Sequence, residues 1–278
     1  MEKRNPKHPR LVKILTLIVF WSMAVSAVFL IIEIIIASMI VEDYSMDSLP
    51  RSKGEYVLML VQCLLGIVAM LLPGKLMQKS RIIIPQGMYI LYIIFLYCAI
   101  YLGEVRSFYY SVPHWDDILH CFSGAMLGAL GFSFVALLNN SERVPVNLSP
   151  IFVAVFSLCF AVALGVIWEI YEFTFDGLLG LNMQKFAEEV NGELVPLTGH
   201  DALSDTMKDL IVDMVGAGTT SIIGYISLKY KKGWIEKLQL RRRSVRTWFY
   251  ACSPSAPCLV SLAVEAPISV RRSLGATS

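Results

Sequence analysis

The sequence predicts an all-α protein, a polytopic membrane helix bundle of about six transmembrane helices with both ends of the chain on the cytoplasmic side. Three observations predict it. Of 278 residues, 56% are hydrophobic and 17% charged, with a mean hydropathy of +0.61, whereas an average soluble domain carries about 25% charged residues. Six apolar runs are long enough to cross a hydrocarbon core of about 30 Å, which needs about 20 helical residues. The charges between these runs alternate in sign from one loop to the next. This balance excludes a soluble enzyme, a disordered tail protein and a nucleic-acid binder, and with a net charge of only +2 any electrostatic reading rests on where the charges sit and not on their sum.

The runs fall at residues 14–41, 56–72, 82–103, 118–138, 151–175 and 206–228. The first follows Lys3, Arg4, Lys7, Arg10 and Lys13, as a secretory signal would. Signal cores span only about 7–15 residues, so a run of 28 residues reads as a retained helix. The second to fifth are bounded by charge, Pro or Gly. The sixth is the least apolar, because it contains Lys208, Asp209 and Asp213.

Segments 1–13, 74–81, 139–149 and 229–278 hold 19 Lys and Arg, and segments 42–55, 104–117 and 174–205 hold 4, against 13 Asp and Glu. Cytoplasmic loops collect positive residues, so the first group lies inside and every acidic loop lies outside. The chain divides into a basic cytoplasmic N-terminus (1–13), a six-helix membrane domain (14–228) with its polar core over 114–217, and a basic cytoplasmic tail (229–278). Residues 241–278 contain 6 Arg and no Lys, a change of usage that fits a disordered extension and equally an out-of-frame terminus. Asn147-Leu-Ser149 matches a glycosylation sequon but lies inside by the charge count.

Ionisable groups in hydrocarbon cost about 2.5–3.5 kcal/mol each on insertion scales, so each needs a partner or a role. Three spans carry them at helical spacing. In the fourth, Asp116 and Asp117 precede His120 by four and three residues and share its face, which Gly124 and Gly128 extend. In the fifth, Glu169, Glu172 and Asp176 are spaced i, i+3, i+7, and in the sixth Asp205, Asp209 and Asp213 are spaced i, i+4, i+8. The alternating topology brings all three stripes to the outer leaflet, where Glu33 and Glu104 are positioned to join them. These residues therefore predict one extracytoplasmic-facing His–carboxylate site.

So many carboxylates cannot all stay ionised in a partly dry cavity without compensation. A divalent cation supplies it: carboxylates suit Mg²⁺, Mn²⁺ or Ca²⁺, and the single imidazole of His120 widens the choice towards Mn²⁺, Fe²⁺ or Zn²⁺. The candidate ligand set is Asp116, Asp117, His120, Glu169, Glu172, Asp176, Asp205, Asp209 and Asp213, of which a subset is expected to bind, and the candidate catalytic set is His120, Glu169, Glu172, Asp209 and Asp213. Shared protons or a water-filled vestibule are the alternatives. Asp116, Asp117, Asp176 and Asp205 lie near helix ends, where helix capping or a wet rim equally accounts for them. Trp115, Trp168, Tyr101, Tyr109, Tyr110 and Tyr171 form an outer aromatic belt that needs no binding role. Segment 184–197 reads as a hairpin turning at Asn191-Gly192 and placed to cap the site. Cys63, Cys98, Cys121, Cys159, Cys252 and Cys258 contain no CxxC pair, so neither a disulfide framework nor a zinc site is expected.

The pattern Asp116-x3-His120-x3-Gly124, Trp168-Glu-x2-Glu172 and Asp205-x3-Asp209-x3-Asp213-x2-Gly-Ala217 resembles the YjdF-like bacterial inner-membrane proteins over residues 80–228. It is similar, more distantly, to the VanZ-like membrane family associated with teicoplanin resistance, but the stretch 198–204 lacks the Arg that family tends to carry there. The YjdF-like resemblance implies a plasma-membrane fold without a defined chemistry. Three functions are left open: a metal-dependent membrane enzyme acting on an envelope lipid or lipid-linked substrate, an ion- or proton-coupled transporter, and a non-catalytic membrane subunit or receptor. The transporter reading lacks an internal repeat or a second polar cluster on the cytoplasmic side. The partners expected are the lipid bilayer and a lipid-borne substrate, with no nucleic acid.

Overall fold

The computed structural model describes residues 8–40, 53–80, 82–139, 148–190 and 193–242. Six helical stretches within it are long and apolar enough to cross a membrane. They are α1 (His8–Ile40), α2 (Lys53–Lys79), α3 (Gln86–Leu96) continued without a break by a π-helical segment (Tyr97–Val105), α5 (Trp115–Asn139), α6 (Pro150–Leu179) and α7 (His200–Lys229). A one-turn helix, α4 (Phe108–Ser111), lies between the π segment and α5. The chain is a multi-pass helical membrane protein.

Each boundary has a local cause. Ser149 caps α6, its hydroxyl accepting from the Phe152 N–H at 3.3 Å, and Pro150 follows at the position where its missing N–H is harmless. Gly180 ends α6 at φ 66, the left-handed conformation a helix C-terminus favours. The third span begins at Gln86 and not at 82, because Pro85 is extended and Ile82–Ile83 (β1) instead pairs antiparallel with Arg241–Arg242 (β4). The sixth starts at His200, six residues before the apolar run, so Asp205 sits in the second turn and not the first. Water-facing turns leave no hydropathy signal. The hairpin forms as expected, Ala187–Val190 (β2) pairing with Glu193–Pro196 (β3) in the register Val190 to Glu193. The Asn191-Gly192 turn itself lies outside the described residues, as do residues 1–7 and 243–278 with Cys252 and Cys258. The other four cysteines are free.

Two three-helix groups make the bundle. Val19, Met23, Met70, Ile93 and Leu96 pack α1, α2 and α3 together, while α5, α6 and α7 enclose Ala129, Phe132, Val135, Val153 and Ala154. The outward faces are apolar, with Trp21, Val28, Val68, Ile170 and Phe173 exposed, and the buried positions of α6 and α7 include Glu169, Glu172, Asp209 and Asp213. That inversion is what a lipid environment requires, since the polar groups must find their partners inside the protein.

The seam between α5 and α7 is set by glycine. A Cβ on Gly124 would strike the Asp213 carbonyl, one on Gly216 the Cys121 carbonyl, and one on Gly224 the Phe132 ring. Small residues at this spacing let the two backbones touch. At the opposite end, the fully buried Ser227 hydroxyl accepts from the Trp234 and Ile235 N–H groups at 2.9 and 3.1 Å and donates to Glu236 at 2.9 Å. It fastens the segment after α7 onto the bundle. Ser227→Ala leaves two amides unpaired and is expected to cost roughly 2 kcal/mol of stability, read as a lower midpoint in detergent unfolding.

Candidate metal centre

The seam brings α7 against α5, and α6 closes the third side. On α5, His120 is buried and stands at the centre of the acidic stripes. Its Nδ1 lies 3.5 Å from Asp213 Oδ2, and its Nε2 lies 3.7 Å from Asp116 Oδ1 and 4.0 Å from Glu169 Oε1. One ring thus faces a carboxylate from each of the three helices. Ser123, one turn beyond His120, lies 3.2 Å from Asp213 Oδ1 and 2.9 Å from the His120 carbonyl, so its single proton is shared between them. Gly165 makes room for Asp213: a Cβ there would meet Oδ2.

Two sets of ligand atoms come within 4.8 Å of one another, Asp116–His120–Asp209 and His120–Glu169–Glu172. Both use His120. Glu169 and Asp209 are 4% and 2% exposed, and Glu169 Oε1 and Asp209 Oδ1 are buried without a hydrogen-bond partner among the described residues. Buried carboxylate oxygens are ordinarily satisfied. The two unpartnered oxygens belong to residues of the triads around His120, one in each. Either set, one imidazole with two carboxylates, suits Mn²⁺, Fe²⁺ or Zn²⁺.

Other acids of the stripes are engaged locally. Asp117 pairs with the exposed His114 at 2.7 Å. Asp176 accepts from the Met183 and Gln184 N–H groups at 2.8 and 2.9 Å, anchoring the loop after α6. Asp205 pairs with Lys208 through Oδ1 at 3.7 Å, its Oδ2 is buried without a hydrogen-bond partner among the described residues, and it stays outside both triads. Glu104 accepts from Gln62 at 3.1 Å, and Glu33 sits half-buried on α1, which packs chiefly on α2.

The loop anchored by Asp176 covers the cluster and supplies groups that spacing arguments had no means of finding. Gln184 Nε2 donates to Thr206 Oγ1 at 3.0 Å and reaches Glu169 Oε2 at 3.4 Å. Lys185 Nζ stands 4.7 Å from the centre of the Tyr109 ring and 5.3 Å from that of Tyr110. Burial alone would depress the Lys185 pKa, but Glu104, Tyr110, Asp116 and Glu172 outweigh it and hold the ammonium above its ordinary range. Tyr109 is pushed well above the ordinary phenol range, by burial first and then by Asp116, Glu104 and Glu172, so it stays a neutral donor. Trp168 stacks on Tyr171 at 5.1 Å on the exposed flank of α6, away from the carboxylates.

The family described as "Predicted membrane protein (DUF2238)" matches residues 48–230. The chain belongs to the DUF2238 family. That match spans α2 to α7 and so contains the whole His120 cluster of this DUF2238 protein. An uncharacterised protein of Thermotoga maritima is 33% identical over 125 residues, covering 45% of this chain and 54% of the relative. The chain thus spans about half the length of that relative. No solved structure matches.

Proposed function

We propose that this DUF2238 protein resides in the bacterial plasma membrane, is of the YjdF-like kind, and is a metal-dependent enzyme whose site opens to the extracytoplasmic side and acts on an envelope lipid or lipid-linked headgroup. The observation that carries this reading is the pair of buried, unpartnered carboxylate oxygens on Glu169 and Asp209, each residue belonging to one of the triads around His120. His120, Glu169 and Glu172 would hold the ion, with Asp116 and Asp209 completing the set. When bound, it supplies a Lewis acid and lowers the pKa of a coordinated water. Asp213 fixes the His120 ring from behind, the role a carboxylate takes towards a metal-binding imidazole. Gln184 excludes bulk water above Glu169 and holds it in place. The cluster lies where α5 and α7 begin and α6 ends, the level a lipid headgroup reaches from the outer leaflet.

The full chain, purified in detergent and loaded with Mn²⁺ or Zn²⁺, is expected to retain about one ion per chain by elemental analysis. The pair Glu169→Gln with Asp209→Asn, which breaks both triads, is expected to lose it while the helical spectrum and unfolding midpoint persist. A wild-type protein that folds normally and retains no divalent ion overturns the reading.

A further inference from the structure

We propose that the cluster takes two divalent ions, one between Asp116 and Asp209 where α5 meets α7 and one between Glu169 and Glu172 on α6, with His120 between them. The inference rests on the metal-site reading above and adds a second ion to it.

Geometry divides the acids. Ligand atoms of Asp116, His120 and Asp209 lie within 4.8 Å of one another, as do those of His120, Glu169 and Glu172, and among the described residues no such group takes an acid from each pair. Metal–ligand bonds of about 2.0–2.2 Å keep the ligands of one ion within roughly 4.4 Å of each other. One ion therefore cannot draw on both pairs as they stand. Nor can His120 serve both positions. Its Nδ1 is turned to Asp213 at 3.5 Å, which leaves Nε2, with a single lone pair, between Asp116 Oδ1 at 3.7 Å and Glu169 Oε1 at 4.0 Å. The imidazole ligates one ion, and carboxylates hold the other.

Unsatisfied oxygens divide in the same way. Glu169 Oε1 and Asp209 Oδ1 are buried without a hydrogen-bond partner among the described residues, and they belong to different pairs. Gln184 reaches only the other oxygen of Glu169, at 3.4 Å. An ion seated at either pair satisfies the oxygen there and leaves the other bare, a state buried acceptors rarely keep.

Charge gives a third, separate reason. Among the described residues, His120 is the one basic group in ion-pair contact with any of these four carboxylates. A single divalent ion compensates half of their negative charge, and a second matches the rest. Two ions side by side repel each other, so the second binds more weakly than the first. One stays through purification, and the other fills only while free ion is present.

The test is a Mn²⁺ titration of the full chain in detergent, read by equilibrium dialysis and by the paramagnetic resonance of the bound ion, on wild type, Asp209→Asn and Glu172→Gln. Wild type is expected to saturate at twice the uptake of either variant, the signal of an isolated ion giving way to that of a spin-coupled pair as the second enters. Each variant loses one pair and should show no coupled signal at any concentration. A wild type that saturates with one isolated ion overturns the second position and leaves the metal-site reading intact. So does uptake of a second ion without coupling, since that ion would then lie away from His120. A coupled pair that survives in either variant overturns the division of the acids. No bound ion in wild type overturns both readings. Wild-type uptake and coupling decide the matter by themselves if a variant does not fold.

Discussion

Gly216→Val is expected to abolish metal binding and to lower stability by about 3 kcal/mol, one of the two largest effects foreseen from single substitutions in this protein. A Cβ at 216 would be driven onto the Cys121 carbonyl and to 3.0 Å from the Ala125 amide. Both are backbone atoms of α5, so neither can move aside by changing a rotamer. Overpacking a tight interface costs typically 1–3 kcal/mol, and a branched side chain against backbone belongs at the upper end. The functional effect is the greater of the two, because α7 must retreat from α5 and carry Asp209 and Asp213 away from His120. The 3.5 Å approach of Asp213 to the imidazole depends on that contact. Gly218 is the control: it lies on the same helix with nothing within 4 Å of its would-be Cβ, and Gly218→Ala is expected to leave ion affinity within about twofold and the unfolding midpoint unlowered, since Ala is the better helix former. Comparable losses in both variants would show that the seam does not position the cluster.

The same geometry explains what the sequence disclosed and what it hid. Ionisable residues stand out against apolar runs, and helical spacing assigns them to a face, so the acidic stripes of α5, α6 and α7 could be read directly. Spacing fixes the direction a side chain leaves the helix but not what waits at that depth. Asp116 and Asp117 are equivalent on that criterion, yet Asp116 turns to His120 and Asp117 to His114. Asp176 likewise shares the stripe of Glu169, and is used by the amides of its own loop. Ser123 gave no signal because serine is unremarkable in a membrane helix, where it commonly bonds its own backbone. The hairpin signal marks segment 184–197 as a cap, but only the folded loop shows that Gln184 meets Glu169 and that Lys185 lies over the Tyr109 ring. Boundaries failed for a related reason. The turns at 200–205 and 115–117 are dominated by polar residues, His200, Asp201, Ser204 and Asp205 in one and Asp116 and Asp117 in the other, so a hydropathy window starts the helix too late, while Pro85 and the β1–β4 pairing start the third one later than its apolar run.

His120→Ala is expected to weaken divalent-ion binding more than any single carboxylate change, by at least about 100-fold, because both candidate triads pass through the one imidazole. Losing Glu169 leaves Asp116–His120–Asp209, and losing Asp209 leaves His120–Glu169–Glu172; losing His120 leaves neither. Asp213→Asn should fall between, since it touches the ring only from the far side: loss of an orienting partner typically costs 10–100-fold. Stability separates the two roles further. In the ion-free protein His120 and Asp213 are buried against each other, at 7% and 3% exposure, and removing one member of a buried pair costs roughly 3–5 kcal/mol. His120→Ala strips the acids of their nearest basic partner, so its unfolding midpoint should drop in ion-free buffer. The double variant His120→Ala with Asp213→Asn should recover part of that drop while recovering none of the binding, because it removes the stranded charge without restoring a ligand. If the double variant is as unstable as the sum of the two single changes, the pair is not coupled, and the imidazole does not sit at the junction of the three helices' acids.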